Sequence, residues 1–171
     1  MQPRLSICIA TLNRGAFIGE TLDTIVPQLR DDVELVIVDG ASKDNTGEVV
    51  GRYVAADPRV RYVRLPKASG VDQDYDLAVS HARGEYCWLM TDDDLLKPGA
   101  VDRVLAVLDG NVELVIVNTE VRTVDFGGAL RGALVAKQED VEYAPEDADR
   151  LLADTAHALS FIGCVVHIAL P

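Results

Sequence analysis

Val33-Glu-Leu-Val-Ile-Val-Asp-Gly-Ala-Ser-Lys-Asp-Asn-Thr46 opens as an apolar, β-branched run and breaks after Val38 into a carboxylate, a glycine and a string of polar residues. A run this brief and this continuously apolar predicts a strand buried on both faces, as in a parallel sheet. The same reading extends outward. Leu5–Ala10 predicts a strand before it, and Val60–Leu65, Glu85–Met90 and Val112–Val117 predict three after it. Helical spacing fills the gaps. Ile18, Leu22, Ile25, Val26 and Leu29 mark one helix face, which Pro27 ends early. Val50, Tyr53 and Val54 mark a second helix, weakened by Gly47 and Gly51. Val71, Tyr75, Ala78, Val79 and Ala82 mark a third, with Gly84 as its stop. Val101, Val104, Leu105 and Leu108 mark a fourth, with Pro98 in its first turn. Strands alternating with helices predict an α/β domain on a mostly parallel central sheet.

Past Asn118 the pattern loosens. Phe126-Gly-Gly-Ala129 predicts a turn. Glu139, Asp140, Glu142, Glu146, Asp147 and Asp149, around Pro145, predict a solvated loop and helix start. Ser160–Leu170 is a last apolar, strand-like run, the ending expected of the front portion of a longer fold.

The chain has 171 residues, room for a single domain with a sizeable core. Hydrophobic residues make up 49% and charged residues 26%, an ordinary globular balance. Sixteen Lys and Arg against 28 Asp and Glu give a net charge of −12. That argues against nucleic acid and against anionic membranes held by bulk charge. An anionic ligand would need a metal or helix N-termini to supply local positive charge. Cys8, Cys87 and Cys164 are too few and scattered for a disulfide scaffold, and Cys8 and Cys87, inside apolar runs, predict buried, reduced thiols of a cytoplasmic protein. The first apolar run is too short for a signal core or a span, which leaves at most a peripheral contact with the inner face of a membrane. His81, His157 and His167 show no zinc spacing, and Trp88 alternates as a core residue. Neither GxxxxGK[ST] nor GxGxxG occurs.

All strands of a parallel sheet end on one edge, and ligands bind outside those carboxyl ends, especially where strand order reverses. Three polar stretches follow predicted strands: Thr11-Leu-Asn-Arg14, Asp39 to Thr46, and Thr91-Asp-Asp-Asp94. Asp92, Asp93 and Asp94 repel one another and call for a compensating cation. Hard oxygen donors select Mg²⁺ or Mn²⁺, and Mg²⁺ takes one or two carboxylates and completes its shell with water and phosphate oxygens. The alternative is an acidic turn capping the next helix. Asp39, with Gly40 allowing a tight turn, can accept hydrogen bonds from a base or a ribose; Ser42 can instead cap the following helix, with Asp44 in its first turn. Thr11 and Asn13 can contact a base or close a turn.

Ser6-Ile-Cys-Ile-Ala-Thr-Leu-Asn-Arg14, Val36-Ile-Val-Asp-Gly-Ala-Ser-Lys-Asp-Asn-Thr46 and Gly84-Glu-Tyr-Cys-Trp-Leu-Met-Thr-Asp-Asp-Asp-Leu-Leu-Lys-Pro98 together resemble the family 2 glycosyltransferases, in that family's order and spacing. The resemblance covers residues 4 to 120 well and the rest loosely. It implies the GT-A fold, a Rossmann-like three-layer α/β/α domain truncated here at its C-terminus. Residues 1–118 would be the nucleotide-sugar-binding part and 119–171 an incomplete acceptor-side part.

It further implies an inverting transfer of a sugar from a nucleotide-diphospho-sugar to a hydroxyl of a saccharide or lipid-linked saccharide, in bacterial cell-surface polysaccharide synthesis. By position, Thr11, Asn13 and Arg14 would lie near the nucleotide, Asp39 at the base and Asp92 at the ribose. Asp93 would take Mg²⁺ or Mn²⁺ as the DxD-type carboxylate, with Asp94 as accessory or alternative ligand. Ala10, Leu12 and Ala41 stand where Pro, Tyr and Ser are usual in the family. Gly70-Val-Asp-Gln-Asp-Tyr75 lacks the usual Ala-Arg-Asn and resembles the abequosyltransferase-like branch, which would put Asp72 and Asp74 near the donor. Glu146 and Asp147 do not match the family's general-base motif, so that base is expected beyond Pro171. Two other readings are a nucleotide-binding module without turnover and a sugar nucleotidyltransferase; only Arg14 and Gly15 stand where the latter needs a glycine-rich basic signature. The apolar ending leaves self-association into a homo-oligomer open.

Overall fold

The computed structural model describes residues 2–110, 112–117, 120–123, 129–133, 139–155 and 163–168. The chain divides into two compact units, residues 1–115 with 165–171, and residues 116–164. The first unit begins β1 (Leu5–Thr11), α1 (Ile18–Ile25), β2 (Val33–Asp39), α2 (Thr46–Ala56) and β3 (Val60–Arg64). It continues with α3 (Val71–Ser80), β4 (Tyr86–Met90) and α4 (Ala100–Leu108), and β5 (Leu114–Val117) runs across its end. Later come β6 (Glu120–Thr123), β7 (Ala129–Ala133), α5 (Ala148–Thr155) and β8 (Gly163–His167). All five strands and four helices expected up to residue 117 form. The order is that of the α/β domain on a mostly parallel sheet that the periodicity predicted.

The sheet runs β3-β2-β1-β4-β8-β5. β1 pairs in parallel with β2 on one side and β4 on the other, and β2 pairs in parallel with β3. The chain thus builds outward from β1 through β2 to β3, then crosses back to place β4 on the opposite flank. The carboxyl ends of β1 and β4 flank the switch point where strand order reverses, the place at which sheets of this kind bind ligands. β2 is buried at every position, so helices must cover both faces of the sheet. Ala78 of α3 and Ala82, just past its end, join a cluster with Cys8, Val36, Val38 and Cys87 on one face. Cys8 and Cys87 are buried and free. Its hydrogen bond with Cys87 and its burial push the Cys8 thiol up. Trp88 is 2% exposed, a core residue as expected.

Three local expectations need correction. Gly84 does not stop α3, which ends at Ser80 with His81 as its cap. A β-carbon on Gly84 would lie 2.7 Å from the Ser6 backbone nitrogen, so the glycine is there for close packing against β1. Pro98 lies outside α4, because the chain first passes through Gly99 in a left-handed conformation (φ 79°). Gly47 does not merely weaken α2. A β-carbon there would meet the Tyr62 hydroxyl at 2.9 Å, so its absence lets Tyr62 approach. Pro27 acts as expected, in a 3-10 turn (Val26–Gln28) directly after α1.

In the second unit β6 and β7 pair antiparallel, with an irregularity between Val121 and Arg122. The turn expected at Phe126-Gly-Gly lies outside the described residues. The acidic stretch is solvated and leads through a 3-10 turn (Pro145–Asp147) into α5.

Candidate functional site

Register brings the polar stretches together. Thr11 is paired with Asp39 across β1 and β2. Across β1 and β4, Ile9 pairs with Met90, so two residues further on Thr11 stands level with Asp92. The Thr11 hydroxyl donates to Asp92 Oδ2 at 2.7 Å. Asp39 and the triple-aspartate turn therefore share one edge of the sheet, on either side of Thr11.

The loop after β1 and the loop after β2 are latched to each other. The Asn13 backbone N–H donates to Ser42 Oγ at 2.8 Å, and the Lys43 N–H donates to Asn13 Oδ1 at 2.7 Å. The Arg14 N–H donates to Thr46 Oγ1 at 2.9 Å and the Gly15 N–H to Asp44 Oδ2 at 3.0 Å. Asn13 takes a left-handed conformation (φ 55°) to make this fit, as Asn does more readily than most residues. A β-carbon on Gly15 would lie 2.1 Å from Asn45 Oδ1, so the latch closes only around glycine. Asp44 bonds the Thr46 N–H at the start of α2, and that hydroxyl and backbone hold its carboxyl below the usual range. Ser42 is thus not the helix cap; its hydroxyl is committed to Asn13. Nor is Gly40 the strained residue of the turn, since the positive φ falls on Ala41 (67°). Gly40 instead leaves space for the Asp74 carboxylate, whose Oδ2 would be 2.6 Å from a β-carbon there.

The carboxylates of the site differ in what they have left to give. Asp39 is fully buried. Its Oδ1 accepts from the Ser42 N–H at 2.7 Å, and its Oδ2 accepts from the Tyr62 hydroxyl, with Arg64 Nη1 at 3.8 Å. Burial and this bond push the Tyr62 phenol up to about 12. Asp92 is nearly buried, and desolvation raises its pKa despite the Thr11 bond and the Arg14 charge, which lower it. Asp93 keeps 48% of its side chain exposed, and Asp94 is exposed. Arg14 spans the pair, Nε at 3.4 Å from Asp92 Oδ1 and Nη2 at 3.8 Å from Asp93 Oδ2. In α3, Asp72 is exposed, whereas Asp74 is buried and accepts from the Ser69 hydroxyl.

Tyr75 belongs to the site although periodicity places it on a core-facing stripe. Burial and then the charges of Asp92, Asp93 and Asp94 push its phenol pKa up, which puts it within charge range of the acidic turn. Tyr62 and Arg64 are likewise new, and nothing in their strand's sequence marks them as partners of Asp39. Among the described residues, no group of three or more His, Cys, Asp or Glu converges as a metal site. A cavity of about 430 Å³ beside Leu29, Arg30 and Arg59 lies at the strand beginnings, at the opposite edge of the sheet.

The family model for glycosyl transferase family 2 matches residues 6–159. The chain belongs to this family. An abequosyltransferase of Salmonella typhimurium is 32% identical over 114 residues, 64% of the chain and 34% of that protein. Glycosyltransferase GlyG of Streptococcus pneumoniae serotype 4 is 28% identical over 119 residues, 69% of the chain and 40% of that protein. Among solved structures, TarS of S. aureus superposes with a TM-score of 0.65 at 23% identity, over 71% of the chain and 38% of TarS. A mannosyltransferase from Pyrobaculum calidifontis, in complex with GDP-Man and Mn²⁺, superposes with a TM-score of 0.58 at 30% identity, over 72% of the chain and 36% of that chain. The family 2 chain thus spans well under half the length of these relatives. Among the described residues no helix is long and apolar enough to cross a membrane.

Proposed function

We propose that the chain is the donor-binding part of an inverting glycosyltransferase. It takes a sugar from a nucleoside-diphosphate sugar and delivers it to a hydroxyl of a saccharide or lipid-linked saccharide, in bacterial cell-surface polysaccharide synthesis. The observation that carries this reading is the Thr11–Asp92 bond across the switch point, with the half-exposed Asp93 and Arg14 beside it. In this reading the latched loops after β1 and β2 form the wall against which the nucleotide lies. Asp39, saturated by Ser42 and Tyr62, meets a base only by exchanging one of those bonds, and otherwise fixes the wall. Asp92, held by Thr11, is placed for the ribose, and Asp72 and Asp74 flank the donor from α3.

The donor set fits a divalent cation shared with the ligand better than one resident in the protein. Asp93 offers an accessible carboxylate, Asp94 a second, and no third ligand converges on them among the described residues. Mg²⁺ and Mn²⁺ accept such a partial cage when phosphate oxygens and water complete it. When bound, the cation supplies Lewis-acid stabilisation of the charge that builds on the leaving diphosphate. Asp93 holds it, and Arg14 brings a guanidinium that matches carboxylate and phosphate alike. The general base is assigned to no described residue.

Calorimetric titration of UDP, CDP, GDP and dTDP, with Mn²⁺ or Mg²⁺ and in EDTA, tests this reading. One diphosphate binds in a metal-dependent manner, and Asp93→Ala abolishes that binding. Binding equally tight in EDTA removes the metal from the proposal. Hydrolysis of the matching nucleotide sugar then separates an enzyme from a module that holds nucleotide without turnover.

A further inference from the structure

We propose that Arg14 is the built-in counter-ion of the Asp92–Asp93 turn and that it couples metal binding to donor binding. This inference rests on the reading of the rim as a nucleoside-diphosphate site. While the guanidinium lies against both carboxylates, the turn holds a divalent cation weakly. An incoming diphosphate draws the guanidinium to its own oxygens and frees Asp93 for the metal and Asp92 for the ribose.

The geometry of the contact supports release. The Arg14 pairs, at 3.4 and 3.8 Å, lie beyond hydrogen-bond length. Arg61 with Glu34 and Arg59 with Asp57 are closed pairs, at 2.9 and 2.6 Å, whereas the Arg14 pairs belong with the open ones of the same unit, Arg30 with Asp32 at 3.5 Å and Arg64 with Asp39 at 3.8 Å. The Arg14 backbone, by contrast, is fixed. Its N–H bonds Thr46 Oγ1, and its carbonyl accepts from the Phe17 and Ile18 N–H groups at 2.9 Å. Only the side chain is therefore free to move, from a pivot set by the loop latch. That side chain is 43% exposed and lies over the Phe17 ring, with its guanidinium carbon 5.8 Å from the ring centre. Phe17 is itself exposed, and its ring backs the guanidinium where it now lies.

Electrostatics gives the device a purpose. In a chain of net charge −12, three adjacent aspartates would otherwise attract free divalent cations without any donor. A resident guanidinium lowers that affinity. A planar guanidinium suits the exchange better than a lysine, because it can pair two oxygens of either partner.

Mn²⁺ binding followed by the electron-spin-resonance signal of the free ion tests the inference, in the absence and presence of UDP or GDP. Wild type, Arg14→Gln, Arg14→Lys and Asp93→Ala are compared, with circular dichroism confirming that each folds. Without nucleotide, Arg14→Gln binds Mn²⁺ about tenfold more tightly than wild type, as expected for removing one positive charge beside two carboxylates. The factor by which nucleotide strengthens Mn²⁺ binding falls about tenfold in the same variant. Arg14→Lys, which keeps the charge but loses the fork, lies between. Unchanged or weaker Mn²⁺ binding by Arg14→Gln without nucleotide overturns the inference, as does an undiminished nucleotide effect. If wild type binds Mn²⁺ with nucleotide through Asp93 while Arg14→Gln alters neither value, the counter-ion role alone fails. If wild type and Asp93→Ala behave alike throughout, the donor-site reading fails and takes this inference with it.

Discussion

Glu34 and Asp93 are carboxylates at opposite edges of one sheet, and they have opposite fates. Glu34 sits near the start of β2, level with Ser6 of β1. It is nearly buried, with Oε1 accepting from the Ser6 hydroxyl and the Arg83 N–H, each at 2.7 Å, and Oε2 accepting from Arg61 at 2.9 Å. Asp93 lies past the end of β4, half exposed, with a single arginine at 3.8 Å. A closed set of partners makes a carboxylate part of the fold. An open set leaves it available to a ligand. Asp39 shows that place alone does not decide the matter, since it stands on the ligand edge and is yet as closed as Glu34.

The contrast can be broken by substitution. Glu34→Ala strips a buried pair of one partner and should cost about 3 kcal/mol in urea unfolding, the low end of what such removals cost. Its fold, once formed, should still bind nucleotide. Gly15→Ala should follow with about 2 kcal/mol, because the new methyl drives Asn45 and the Thr46 backbone out of the loop latch. Here nucleotide binding should weaken as well, which separates the ligand edge from the opposite one. Tyr62→Phe removes one bond to a buried carboxylate and should cost about 1.5 kcal/mol, read by the same denaturant curves.

Asp92→Asn tests the sign of a charge effect. Desolvation raises the folded-state pKa of Asp92, so the native protein holds a proton that the unfolded chain has already released. Stability from this group is present at low pH and is lost as pH rises through the raised value. Asp92→Asn should therefore match wild type near pH 4 and gain on it toward pH 7 in thermal midpoint. A variant less stable than wild type at neutral pH would show that the Thr11 and Arg14 contacts outweigh burial. Asp93→Ala should change stability least, by under about 0.5 kcal/mol, as for other exposed positions. A large loss of stability there would mean that Asp93 is structural like Glu34.

Much of this was legible in the residues. Runs such as Val33–Val38 have only one comfortable environment, a sheet covered on both faces. The alternation of strands and helices then put Thr11, Asp39 and Asp92 after strands that end together. Tyr75 was hidden because an aromatic at helical spacing reads as core whether its hydroxyl meets apolar groups or carboxylates. Gly47 and Gly84 were misread because sequence shows a missing side chain but not the neighbour that needs the room. The position of β8 between β4 and β5 was out of reach, because pairing partners so distant along the chain leave no local mark.

The sequence by itself determined the strand and helix order and the polar loops delivered to one edge of the sheet, because periodicity and turn chemistry act over a few residues. Only the tertiary structure decided which carboxylates are spent and which are open. That depends on partners such as Ser42 and Tyr62 for Asp39, and Thr11 and Arg14 for Asp92, brought within hydrogen-bond or charge range by strand register rather than by spacing along the chain.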